Sequence, residues 1–102
     1  MSIIGDWDVR IKTPVGSLFV AYSFEVDDGR LTGRAATRHE TVPCNDIDVL
    51  DEASGQRVRW RQSVTKPLKL QLDFDVLVDG DQFSGHSRAG RLPRSTVVGT
   101  RR

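Results

Sequence analysis

Leu68-Lys69-Leu70-Gln71-Leu72-Asp73-Phe74-Asp75-Val76-Leu77-Val78-Asp79-Gly80-Asp81 is the stretch on which the fold turns. Its apolar residues Leu68, Leu70, Leu72, Phe74, Val76 and Val78 alternate with Lys69, Gln71, Asp73 and Asp75. A strand sends successive side chains to opposite faces, so this spacing makes one apolar face and one solvated face. On a helix the same residues would scatter around the axis. Asp79-Gly80-Asp81 is a hairpin signal and leads into a further strand, Gln82 to Arg88.

The same grammar runs in both directions. Upstream, Val58, Trp60, Gln62 and Val64 alternate with Arg57, Arg59, Arg61 and Ser63, and Thr65-Lys66-Pro67 reads as a turn. Residues 6–12 alternate Trp7, Val9 and Ile11 against Asp6, Asp8, Arg10 and Lys12. Thr13-Pro14-Val15-Gly16 is a turn, and residues 17–26 form an apolar, β-rich strand. Asp27-Asp28-Gly29 marks a hairpin into a short strand from Arg30 to about Thr37. Thr41 to Leu50 reads as one strand interrupted at Pro43 or by a bulge near Asn45, and Asp51 to Gln56 as a polar loop. After a Gly90-Arg91-Leu92-Pro93 loop, a last strand runs from about Ser95 to Arg101. The two halves echo each other: a tryptophan strand, a proline turn, an apolar strand, an Asp-Gly turn and a strand with an interior glycine, Gly33 or Gly85. The expectation is all-β, a single antiparallel up-and-down barrel of about eight strands, whose closure removes the sheet edges.

At 102 residues this is one domain with room for one modest core. Charged residues make up 28% of the chain, and the formal net charge of +1 supplies no field for nucleic acid or an anionic membrane. The lone Cys44 cannot form an internal disulfide, and the N-terminal residues lack a basic segment followed by an apolar run. A cytoplasmic location is therefore the expectation, with neither membrane nor nucleic acid as partner.

Gly5-Asp6-Trp7, at the start of the first strand, resembles the Gly-x-Trp signature of the calycin superfamily, the lipocalins, fatty-acid-binding proteins and avidins. The resemblance implies a lipocalin-like barrel whose tryptophan, Trp7, closes one end, with an arginine of the last strand, Arg101, packed across it. It covers the chain ends and the strand count, and this chain is shorter than a typical lipocalin. A guanidinium stacks well on an indole face, which gives that pairing a physical basis.

Several side chains could carry chemistry. His39-Glu40 with Cys44, Asp46 and Asp48 is the densest reactive cluster, but it lacks the paired spacings of a zinc site, and a Cys44–His39 nucleophile has no supporting motif. It reads as a solvated turn plus a structural cysteine, with no metal and no cofactor. His86 falls on the outward face if Phe83 points in. Tyr22 and Gln62 belong to the apolar, inward sets, and Ser87 follows the same logic. Buried polar groups need partners: each other, backbone, an ordered water or a ligand. Gly33, Ala35, Gly85 and Ser87 leave space inside, whereas Trp7, Tyr22, Phe24, Trp60, Phe74 and Phe83 fill it.

Outside, Arg57, Arg59 and Arg61 face Asp73 and Asp75 as cross-strand partners, a salt-bridged surface rather than a nucleic-acid face. Phe19, Ala21, Leu50 and Leu77 lie on that outer side, and such apolar exposure marks an interface, so a homodimer is expected. The leading function is binding of a small hydrophobic or aromatic molecule by Trp7, Tyr22, Trp60, Gln62, Phe74 and Ser87. An alternative is a cavity-type enzyme such as a natural-product cyclase, in which Tyr22 or Gln62 holds a substrate carbonyl and proximity does the work. A third is a filled barrel acting as an interaction subunit.

Overall fold

A computed structural model describes residues 2–14, 16–65 and 69–102 of the chain. It contains eight strands and no helix among the described residues: β1 (Gly5–Thr13), β2 (Gly16–Asp27), β3 (Arg30–Ala36), β4 (Thr41–Glu52), β5 (Gly55–Val64), β6 (Leu70–Asp79), β7 (Gln82–Arg88) and β8 (Ser95–Arg101). Each strand pairs antiparallel with the next and β8 pairs with β1, giving a closed up-and-down barrel. No helix among the described residues is long and apolar enough to cross a membrane.

Alternation decides which side chains enter. Trp7, Val9 and Ile11 of β1, Val58, Trp60 and Gln62 of β5, and Phe74, Val76 and Val78 of β6 are all buried, while the residues between them face out. Register then stacks these sets: Trp60 sits opposite Phe74, which sits opposite Ser87, and Val78 opposite Phe83. The outer face is charged and paired as elementary electrostatics dictates. Arg57 and Arg59 lie 3.2 and 3.5 Å from Asp75, and Arg61 lies 3.2 Å from Asp73. The Arg61–Asp73 pair is largely solvated and adds little stability, whereas Arg57 and Asp75 are part-buried.

Three details differ from or refine the sequence expectation. The polar segment 51–56 is mostly strand, not loop: β4 and β5 pair through Glu52↔Gly55, leaving only Ala53-Ser54 to turn. Backbone ladders are indifferent to polar side chains that face water. Residue 46 is the site of the bulge, where the register slips between Asn45 and Asp48 and Asp46 adopts φ 52°. The extra residue moves the inward set from Val42 and Cys44 to Ile47 and Val49. The β3–β4 ladder is short, running only from Gly33↔Cys44 to Ala36↔Thr41. Of the turns, Val15 in 13–16, Lys66-Pro67 in 65–67, and Leu68 of the expected strand lie outside the described residues.

Interior glycines make room for rings. A Cβ on Gly99 would meet the Phe83 ring at 2.5 Å, and one on Gly33 the Phe24 ring at 2.6 Å. Gly85, by contrast, is approached by the backbone of Asp75 and Val76. Gly99→Ala is expected to destabilise the fold by about 1–3 kcal/mol through overpacking, read by urea unfolding. The loss should shrink in a Phe83→Leu background, and equal losses in both backgrounds would refute the ring-contact explanation.

Candidate functional site

The two ends of the barrel are built differently. At the first, Trp7 is wholly buried, packs 4.7 Å from Phe83 between ring centroids, and donates its indole N–H to the Ile3 carbonyl at 2.7 Å. The Arg101 guanidinium lies 4.3 Å above the Trp7 ring. Its Nη1 donates to the Ile4 carbonyl at 2.6 Å, its Nη2 to Ser2 at 2.7 Å and Gly80 at 3.3 Å, and its Nε to Asp81 Oδ1 at 2.9 Å. A planar fork with five donors suits this task, because it stacks and bonds at once. Gly5 has φ 133°, and a Cβ there would meet Arg101 Nη1 at 2.6 Å, which explains why a glycine stands two residues before Trp7.

Beyond this plug the interior is aromatic. Trp60 and Phe74 stack with centroids 4.9 Å apart and planes 5° from parallel. Tyr22 meets Trp60 edge-on at 5.6 Å, and Phe24 meets Trp60 at 5.3 Å. Such offset and edge arrangements suit the ring quadrupoles. Tyr22, Trp60 and Gln62 converge: the Tyr22 hydroxyl and the Trp60 indole both donate to Gln62 Oε1, at 2.8 and 3.0 Å. An indole N–H can only donate, so the amide oxygen must face it, which fixes the orientation of the Gln62 amide. Ser87 is also buried and inward, and its hydroxyl has no hydrogen bond among the described residues.

Among the described residues, burial shifts two titratable groups. Burial pushes the Cys44 thiol up from 9.0 to about 12. Burial, with the nearby Cys44 adding to it, raises the Tyr22 phenol well above its usual value, against the opposing hydrogen bond to Gln62. Both are protonated at neutral pH, and neither is a base or nucleophile there.

At the opposite end several inward positions are apolar and incompletely covered. Leu18 is 48% exposed, and Val42, Val64, Leu70 and Leu72 are half-buried. Ile11 pairs with Leu18, Gln62 with Leu72 and Val64 with Leu70, so these side chains share the inner face around the mouth. Leu70 and Leu72 belonged to the alternating set that defines their strand, and end-of-strand position is the signal that could have marked them as rim. Ile3, the acceptor for Trp7, carried no such signal, because it precedes the first strand.

The remaining candidates stay apart from this interior. Thr37 Oγ1 accepts from the His39 and Glu40 backbone N–H groups, making a tight turn, and the Glu40 carboxylate accepts from Thr65. Among the described residues no cluster of histidine, cysteine and acidic side chains could hold a metal ion. His86 faces outward between Asp75 and Thr96. Phe19 is 74% exposed on the outer face and Leu50 is also exposed, whereas Leu77 is half-buried. No known family, curated protein or solved structure matches this chain.

Arg101→Leu should cost about 2–3 kcal/mol in urea unfolding, because several carbonyls lose a charged donor together. A loss below about 0.5 kcal/mol would show that the plug holds without it. Alkali should also unfold the barrel early. The unfolded thiol ionises near 9.0 and the folded one near 12, so stability is complete below about pH 9 and falls as pH rises toward 12. Cys44→Ala should flatten that decline, and thiol reagents at pH 8 should label native protein far more slowly than unfolded protein.

Proposed function

We propose that the chain is a calycin-like barrel that binds a small, largely apolar molecule at the end opposite the Trp7–Arg101 plug. The observation that carries this reading is the mouth itself. Inward-facing Leu18, Val42, Val64, Leu70 and Leu72 are left partly uncovered there, above a floor of packed rings and the Gln62 amide. Ligand sites combine such apolar walls with few polar groups. Tyr22, Trp60 and Phe74 then form the floor, Gln62 and Ser87 are its polar contacts, and Trp7 acts as the plug. The ring cluster favours a shallow seat over a deep one. Protonated Tyr22 and Cys44 supply neither a base nor a nucleophile to such a seat at neutral pH.

Native mass spectrometry of the purified protein, followed by thermal shift against a panel of apolar aromatic compounds, tests this. A retained small molecule, or a saturable rise in melting temperature that Leu18→Arg abolishes in a protein of unchanged fold, is the expected result. A bare species with no shift across the panel would remove the reading.

A further inference from the structure

The Gln62 amide has one side in use and one side open. Its oxygen takes two hydrogen bonds, from Tyr22 and Trp60. Its nitrogen donates to no protein group among the described residues. Arg57 Nε is the only fully buried side-chain nitrogen or oxygen without a hydrogen bond among those residues, and it still lies 3.4 Å from the Glu52 carboxylate. The Gln62 nitrogen is therefore not completely enclosed, although the residue as a whole is only 4% exposed. The oxygen is held by the Trp60 indole and the Tyr22 hydroxyl, so the NH2 group on the same carbon points away from those two donors.

Resting on the binding reading above, we propose that the site selects apolar molecules bearing a hydrogen-bond acceptor, a ketone, ester or ether oxygen, which receives a bond from Gln62 Nε2. The selectivity follows from the orientation of the amide. Flipping it to present the oxygen outward would set its NH2 against two donors, Trp60 Nε1–H and the Tyr22 hydroxyl, and the indole cannot reverse its role. The network thus holds the amide as a donor. An apolar ligand without an acceptor would displace water from that nitrogen and leave it unpaired, which a buried amide resists. Ser87 can rotate its hydroxyl to donate or accept, so it imposes no such sign.

The test is a matched pair of probes, 2-acetonaphthone and 2-ethylnaphthalene, similar in shape and differing in the carbonyl. A purely apolar pocket favours the hydrocarbon, which water rejects more strongly. The expected result is the inverse, with the ketone about five- to tenfold tighter. In the same samples the Gln62 side-chain amide resonances should move in a 1H–15N spectrum with the ketone and not with the hydrocarbon. Gln62→Glu at pH 8.5, which retains an oxygen for Tyr22 and Trp60 but loses the NH2 donor, should abolish the preference for the ketone. Should Gln62→Glu not fold, the wild-type affinities and amide shifts decide alone. If both probes bind and the hydrocarbon is equal or tighter, or the amide resonances stay still, the donor role is overturned while the mouth remains a binding site. If neither probe binds, the binding reading fails and takes this inference with it.

Discussion

The structure depends on one meeting of strands, the closure of β8 on β1. An antiparallel sheet of this length exposes two edges until its first and last strands pair, and exposed edges invite aggregation. Here Trp7 lies opposite Arg101 across the seam, and the ladder continues to Lys12 opposite Thr96. Arg101 strengthens the seam from its side chain, gathering the carbonyls of Ser2, Ile4 and Gly80 around one guanidinium. Remove the seam and Val9, Ile11 and Val97 lose the shared interior that buries them.

Closure also divides the interior by depth. Nearest the seam clamp, Trp7 and Phe83 fill the section. In the middle, Trp60, Phe74, Tyr22 and Phe24 interlock as rings, with Gly33 giving clearance to Phe24 and the small Ala35 opposite Tyr22. Furthest away, the aliphatic residues Leu18, Val42, Val64, Leu70 and Leu72 are left partly exposed. The polar contact of Tyr22 and Trp60 with Gln62 sits at the boundary between the last two zones, where a buried network rigidifies the floor on which anything in the mouth would rest.

Most of the fold was legible because a half-solvated strand writes period two into its sequence. β7 and β8 end where Gln82, Arg88, Ser95 and Arg101 place them, since turn residues bracket both. Segment 51–56 misled because Asp51, Glu52 and Gln56 are polar, while their pairing is made by backbone groups that composition does not report. The bulge was legible only as one of two alternatives, a break at Pro43 or a bulge near Asn45, for a single inserted residue leaves no periodic trace. At the site, the inward placement of Tyr22, Gln62 and Ser87 followed from alternation. The sharing of one Gln62 oxygen by two donors did not, because it depends on which strands become neighbours and on the height at which each side chain stands. Ile3 was invisible for a simpler reason: it acts through its carbonyl.

The short ladder between β3 and β4 sets how the barrel breathes. Every other neighbouring pair is bonded over a longer run, while this one holds only Gly33–Ala36 against Thr41–Cys44. Past the bulge at Asp46, β4 continues to Glu52 paired on its β5 side alone. Amide protons on that unpaired flank exchange from small local openings, whereas those of β5 and β6 wait for the whole molecule to open. The barrel is therefore closed in topology and graded in rigidity, stiff along β5 and β6 and yielding along a single slit.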